Sequence, residues 1–123
     1  MTHITELDPP ETDKVVASKE IFRLQAEICR TLADPVRLEL LDKLKIGEHT
    51  VGELVEKTGL KQSNVSQHLA VLRQAGLVLT RRQATTVYYS LAFPIITQAC
   101  EITRQILEDQ LSQGRRLIAT AGK

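Results

Sequence analysis

The stretch from Thr50 to Leu91 limits this chain more than any other part of it. Thr50 precedes VGELVEKT with Glu53 three positions on, the pattern of a capping box, and Gly59 is placed to end that short helix in the left-handed conformation. After the Gly59-Leu60-Lys61 turn comes QSNVSQHLAVLRQAG. Its apolar face is Val65, Leu69 and Leu72, with His68 a candidate for the same face; its other face holds Gln62, Ser63, Ser66, Gln67 and Arg73. Gly76 closes the segment. Two β-rich runs, LVLTRR and TTVYYSL, then flank Gln83-Ala84-Thr85 and predict a hairpin, although its tip has none of the Gly, Asn or Asp that usually build one. Few folds accommodate that order of elements.

Helical periodicity fills in the rest. From Ser18 to Leu32 the apolar stripe is Ile21, Phe22, Leu24, Ala26, Ile28, Cys29 and Leu32, and it stops at Asp34-Pro35. Asp34 suits the cap and Pro35 the first turn of PVRLELLDKLKI, which is expected to bury Val36, Leu38, Leu41 and Leu44 before Gly47. Pro94 opens a last helix with an apolar row at Ile96, Ala99 and Cys100, Thr103, Leu107 and Leu111. The expected fold is mainly α, with about five helices and a two-stranded wing. Residues 1–17 read as a flexible arm, 18–113 as one domain and 114–123 as a flexible tail.

Composition narrows the class. With 123 residues and only 3% aromatics, the chain can build one modest, aliphatic core. The stripes on the first and last helices exceed what such a monomer can cover, which predicts a homodimer. No apolar run is long enough for a membrane span, and MTHITELDPPETDK is unlike a signal peptide. Two cysteines, without a C-x-x-C pair, give no disulfide framework. The expected location is cytoplasmic.

Charge is the next signal. The formal net charge is only +1, yet between Glu56 and Glu101 the chain has no acidic residue and carries Lys57, Lys61, Arg73, Arg81 and Arg82. A basic surface without carboxylates suits a polyanion. Two short helices joined by a Gly-containing turn form a helix-turn-helix, and small polar groups on the second can approach base edges where bulky apolar ones cannot. Arg81 and Arg82 on the hairpin suit phosphates or an adjacent minor groove, with Gln83 and Thr85 at its tip. The expected partner is a double-stranded DNA operator.

LADPVRLELLDKL, TVGELVEKTGLKQSNVSQHLAVLRQAGLV and VYYSL resemble segments of the ArsR/SmtB family of transcriptional repressors, over roughly residues 20–110. The resemblance implies a homodimeric winged helix-turn-helix whose first and last helices form the dimer interface, and which leaves a palindromic operator when an inducer binds. It also places Gln62, Ser63, Asn64, Ser66, Gln67 and His68 on the DNA-reading helix. The chain departs from the family at Lys61, where a capping Ser is common; Lys61 suits phosphate, and Ser63 could take over the N-terminal role.

The inducer is less legible. The family's metal sensors carry Cys pairs or Asp and His sets that this chain lacks, and His3, His49 and His68 fall in an arm, a loop and the reading helix. No metal or other cofactor is expected. Cys29 and Cys100 lie on the apolar stripes of the first and last helices. They read equally as small core residues or as a dithiol open to oxidation, persulfide or arsenite, and Arg104 could lower the pKa of Cys100. The wing segment RRQATTVYY is similar to that of the family's persulfide-sensing branch, but where that branch has its first cysteine this chain has Asp42. Two other readings stay open: a winged helix used for protein contacts, and a family member with no small-molecule inducer. No catalytic constellation is present, so an enzyme is not expected.

Overall fold

Residues 11–114 are described in the computed structural model, with side chains from residue 17 onward. Their order is α1 (Glu11–Leu32), α2 (Pro35–Leu44), α3 (Val51–Thr58), α4 (Gln62–Gln74), β1 (Val78–Gln83), β2 (Thr86–Leu91) and α5 (Ile96–Ser112). This is the expected winged helix-turn-helix arrangement of five helices and an antiparallel hairpin. By compactness, the chain divides into a unit ending at Asp34 and a second unit from Pro35 onward. The expected arm and tail lie largely outside the described residues.

Two helix boundaries depart from the sequence reading. α1 begins at Glu11, not Ser18. The apolar stripe starts late, but helix formation does not need a stripe: residue types such as Glu, Lys and Ala carry the propensity for it. At the other end Pro94 does not itself begin α5. Ile96, Thr97 and Gln98 donate to the carbonyls of Phe93, Pro94 and Ile95, a tight turn that leads into the regular helix at Ile96.

The second unit is built on leucine. Leu40, Leu41 and Leu44 of α2, Leu54 of α3, and Val65, Leu69 and Leu72 of α4 are all buried, joined by Leu77, Val78 and Ile96. Burying one such side chain contributes roughly 1.5–3 kcal/mol before the entropy of ordering it is counted. The inward face of α2 differs from the one expected. Leu40 is fully buried, whereas Leu38, expected inside, is 40% exposed. α2 carries leucines on more than one face, so periodicity alone does not say which face turns inward. Leu38 instead lines a groove between α2 and α5 with Leu41, Asp42, Cys100, Arg104 and Leu107.

Both ends of α3 are as the sequence dictates. Thr50 Oγ1 accepts from the Glu53 amide at 3.1 Å and the Glu53 carboxylate accepts from the Thr50 amide at 2.8 Å, so both ends of the capping box are closed. Gly59 takes φ 73° and its N–H donates to the Val55 carbonyl, ending α3. The hairpin pairs Gln83 with Thr86, which leaves a two-residue turn at Ala84 and Thr85. Ala84 supplies the positive φ, 55°, that such a turn needs from a residue without glycine's freedom.

The wing is fastened by the loop between α2 and α3. His49 and Tyr89 exchange both backbone hydrogen bonds, His49 N–H to Tyr89 at 3.0 Å and Tyr89 N–H to His49 at 2.8 Å. His49 is itself buried, although the sequence places it in a loop. A carbonyl can only accept, so the 2.7 Å contact of Nδ1 with the Gly47 carbonyl puts a proton on Nδ1. Nε2 then accepts from the Lys57 ammonium at 2.8 Å. Lys57, one of the cations of the acid-free stretch, is thus bound to α3's own neighbourhood.

Candidate nucleic-acid interface

α4 separates apolar from polar side chains along its length. Val65, Leu69 and Leu72 are fully buried, while Gln62, Ser63, Asn64, Ser66, Gln67 and Arg73 are all exposed. The buried set fixes the helix against the core; the exposed set is short, uncharged up to Arg73, and rich in groups that both donate and accept. Lys61 stands at the N-cap with extended backbone and no side-chain cap bond, as its chemistry requires. The first turn of α4 therefore offers uncapped amide donors at the positive end of the helix dipole.

His68 sits at the margin between these faces. It is half-buried, and its Nδ1 lies 3.2 Å from Arg37 Nη1 on α2. This partner, 31 positions away, is not legible in the local pattern.

The cations of the acid-free stretch fall into two groups. Among the described residues Lys61, Arg73 and Arg82 are exposed and make no ion pair. Arg81 is different. Its Nη2 lies 2.6 Å from Glu48 Oε1, its Nε at 3.1 and 3.2 Å from the two carboxylate oxygens, and its Nη1 donates to Gln83 Oε1 at 2.9 Å. The guanidinium also lies 4.5 Å from the ring centre of Tyr88, its cross-strand neighbour. The Arg81 hydrogen bond holds the Glu48 carboxyl below the usual carboxylate range. Glu48 lies outside the acid-free stretch, so charge patterning along the chain could not reveal that it reaches the wing. Gln83 and Thr85 are exposed at the wing tip.

The two cysteines are unalike. Cys29 is exposed and Cys100 half-buried, and both are free thiols. Burial pushes the Cys100 thiol pKa up, and the nearby Asp42 carboxylate adds to the effect. Arg104 acts in the opposite direction, as the sequence suggested, but is outweighed. The expected activation of Cys100 is therefore reversed. No group of three or more His, Cys, Asp or Glu side chains able to hold a metal occurs among the described residues. Nor is any described helix long and apolar enough to cross a membrane.

A helix with a polar outer face, seated by a preceding helix and followed by a wing, defines a winged helix-turn-helix domain of the DNA-binding type. Comparison with known proteins gives the class a family. Residues 34–80 match the profile of the bacterial regulatory proteins of the arsR family. The HTH-type transcriptional regulator Rv0081 of Mycobacterium tuberculosis is 41% identical over 96 residues, which span 77% of this chain and 84% of that protein. Its crystal structure superposes with a TM-score of 0.66, covering 76% of this chain and 94% of that one. The transcriptional repressor BigR of Xylella fastidiosa is 35% identical, with a TM-score of 0.62 over 80% of this chain and 96% of its own. A homodimeric winged helix-turn-helix DNA-binding domain from Mycobacterium bovis is 27% identical, with a TM-score of 0.67 over 78% and 89% of the two chains. This chain belongs to the ArsR family and is a transcriptional regulator of that type.

Proposed function

We propose that the protein is a homodimeric, sequence-specific repressor that binds a palindromic operator through α4 and the wing. The carrying observation is α4 itself: three fully buried apolar residues fix it, and its outer face presents Gln62, Ser63, Asn64, Ser66 and Gln67 to solvent. Such groups read base edges in a major groove, a glutamine pairing well with adenine. Lys61, Arg73 and Arg82 supply phosphate contacts around it, and Gln83 and Thr85 extend the wing's reach. Repression is supported by the similarity to BigR. A protein that works on the chromosome acts in the cytoplasm.

Dimerisation is supported by the apolar surface that a single chain leaves open. On α1, Ile21, Phe22, Leu24 and Ile28 are 44–70% exposed, and on α5 Ile102 and Ile106 are 62% and 54% exposed. Rows of this kind on a soluble chain mark an interface. The Mycobacterium bovis domain, similar in fold and sequence, is homodimeric.

An inducer that acts on thiols would meet unequal partners. Cys29 is open to oxidants, persulfides and arsenite, whereas Cys100 is held in its protonated form by burial and Asp42. On this reading Cys29 is the thiol that reacts first.

The test is a salt titration of binding to an operator recovered by selection and to random duplex. Gln67→Ala should cost roughly 1–3 kcal/mol on the operator and far less on random DNA. Arg82→Ala should weaken both alike and reduce the salt slope by about one. Equal losses on both duplexes for Gln67→Ala would remove it from base reading.

A further inference from the structure

We propose that Glu48 is a positioning residue for DNA binding: with Arg81 it forms a clasp that fixes the wing relative to the helix-turn-helix. The inference rests on the proposed DNA-binding role and assigns Arg81 to the clasp and not to phosphate.

The geometry leaves Arg81 little to offer a phosphate. Its Nε and one terminal nitrogen face the Glu48 carboxylate, the other terminal nitrogen donates to Gln83, and one face of the guanidinium covers Tyr88. A fork-on-carboxylate contact is the same one that arginine makes with phosphate, so Glu48 occupies the position a DNA phosphate would otherwise take. Arg82, one position on, is exposed and makes no ion pair among the described residues; it is the wing cation left for DNA.

The loop that carries Glu48 joins three parts in consecutive residues. Glu48 reaches β1 through Arg81. His49 pairs with Tyr89 on β2 through both backbone bonds and takes the Lys57 ammonium of α3 on its ring. Thr50 caps α3, the first helix of the helix-turn-helix. A two-stranded hairpin is marginal by itself, so the wing needs such fastening to hold one angle against the DNA. The backbone bridge at His49 and Tyr89 and the ion pair at Glu48 and Arg81 lie on successive residues of the loop, and each limits the play in the other. An exposed ion pair stabilises a fold little; here its effect is on where the wing points.

Charge exchange tests this. Four proteins are compared in the full chain: wild type, Glu48→Arg, Arg81→Glu, and the double variant with both changes. Amide hydrogen exchange at His49 and Tyr89 reports the bridge directly, without DNA. Each single variant sets like charges face to face and should speed exchange at these two amides about tenfold, while the double variant restores protection. Protection of the Leu54 and Leu69 amides in every variant shows that the core is folded. Operator affinity should follow the same order: Glu48→Arg weakens binding even though it makes the protein more positive, and the double variant returns to within about threefold of wild type. Unchanged exchange in both single variants would overturn the clasp, whatever the DNA measurements give. Tighter operator binding by Glu48→Arg, with a double variant as weak as Arg81→Glu, would make Arg81 a phosphate contact and overturn it too. If even the wild type fails to prefer the operator over random DNA, the proposed function falls, and the exchange data still decide whether the clasp exists.

Discussion

Arg37 on α2 lies 3.2 Å from Nδ1 of His68 on α4, a contact that ties α4 to its neighbour. A guanidinium only donates, so Nδ1 accepts and the imidazole proton sits on Nε2. His68 thus spends one ring nitrogen inside the protein. A double-mutant cycle with Arg37→Ala and His68→Ala, read by urea denaturation, should give a coupling of about 0.5–1.5 kcal/mol. Additive losses would show that the contact contributes nothing to α4's placement. His68→Ala should also weaken operator and random DNA by similar factors, because what it disturbs is the seating of the helix.

The exposed rows on α5 predict a specific point of failure for assembly. Ile106→Asp should dissociate the dimer and leave the protomer folded, since Ile106 is 54% exposed in a single chain. Ile96 stands on the same helix but is buried within the protomer, so Ile96→Asp should unfold the chain by placing a charge in its core. Sedimentation velocity with circular dichroism separates the two outcomes. A wild type that sediments as a monomer at micromolar concentration would contradict the interface.

Cys100 gives a pH dependence with a definite sign. Its thiol pKa lies above the ordinary value because burial and Asp42 disfavour the thiolate. Alkylation requires the thiolate, so in a Cys29→Ser background the rate at neutral pH should fall below that of a free thiol, and its midpoint should move to higher pH. Asp42→Asn should shift the midpoint part of the way back, because Asp42 is the second cause after burial. A midpoint below the free-thiol value would restore Cys100 as an activated nucleophile.

How much of this was legible from the residues follows the range of the interactions. Thr50 with Glu53, Gly59 and Gly76 are local signals, and each appears where its chemistry places it. The apolar face of α4 is also local, because Val65, Leu69 and Leu72 repeat at helical spacing. What pattern reasoning missed depends on distant partners. Glu48 and Arg81 are 33 positions apart, and Arg37 and His68 are 31 apart. Nothing in the neighbourhood of Glu48 marks it as the wing's counter-ion. Leu38 and Leu40 show the other limit: where leucines surround a helix, only the packing decides which is covered. The tip at Ala84 runs against turn preference, and the cross-strand register carried the hairpin in spite of it.

The central claim is that a dimer reads DNA sequence through two copies of α4, and selection from a random duplex library tests it most directly. The full chain, at physiological salt, should enrich an inverted repeat whose half-site centres lie about 10 bp, or a multiple of that, apart. The Gln67→Ala variant should enrich the same spacing with relaxed preference at one position in each half-site. Enrichment of no motif, or of a single half-site without a symmetric partner, would contradict the account.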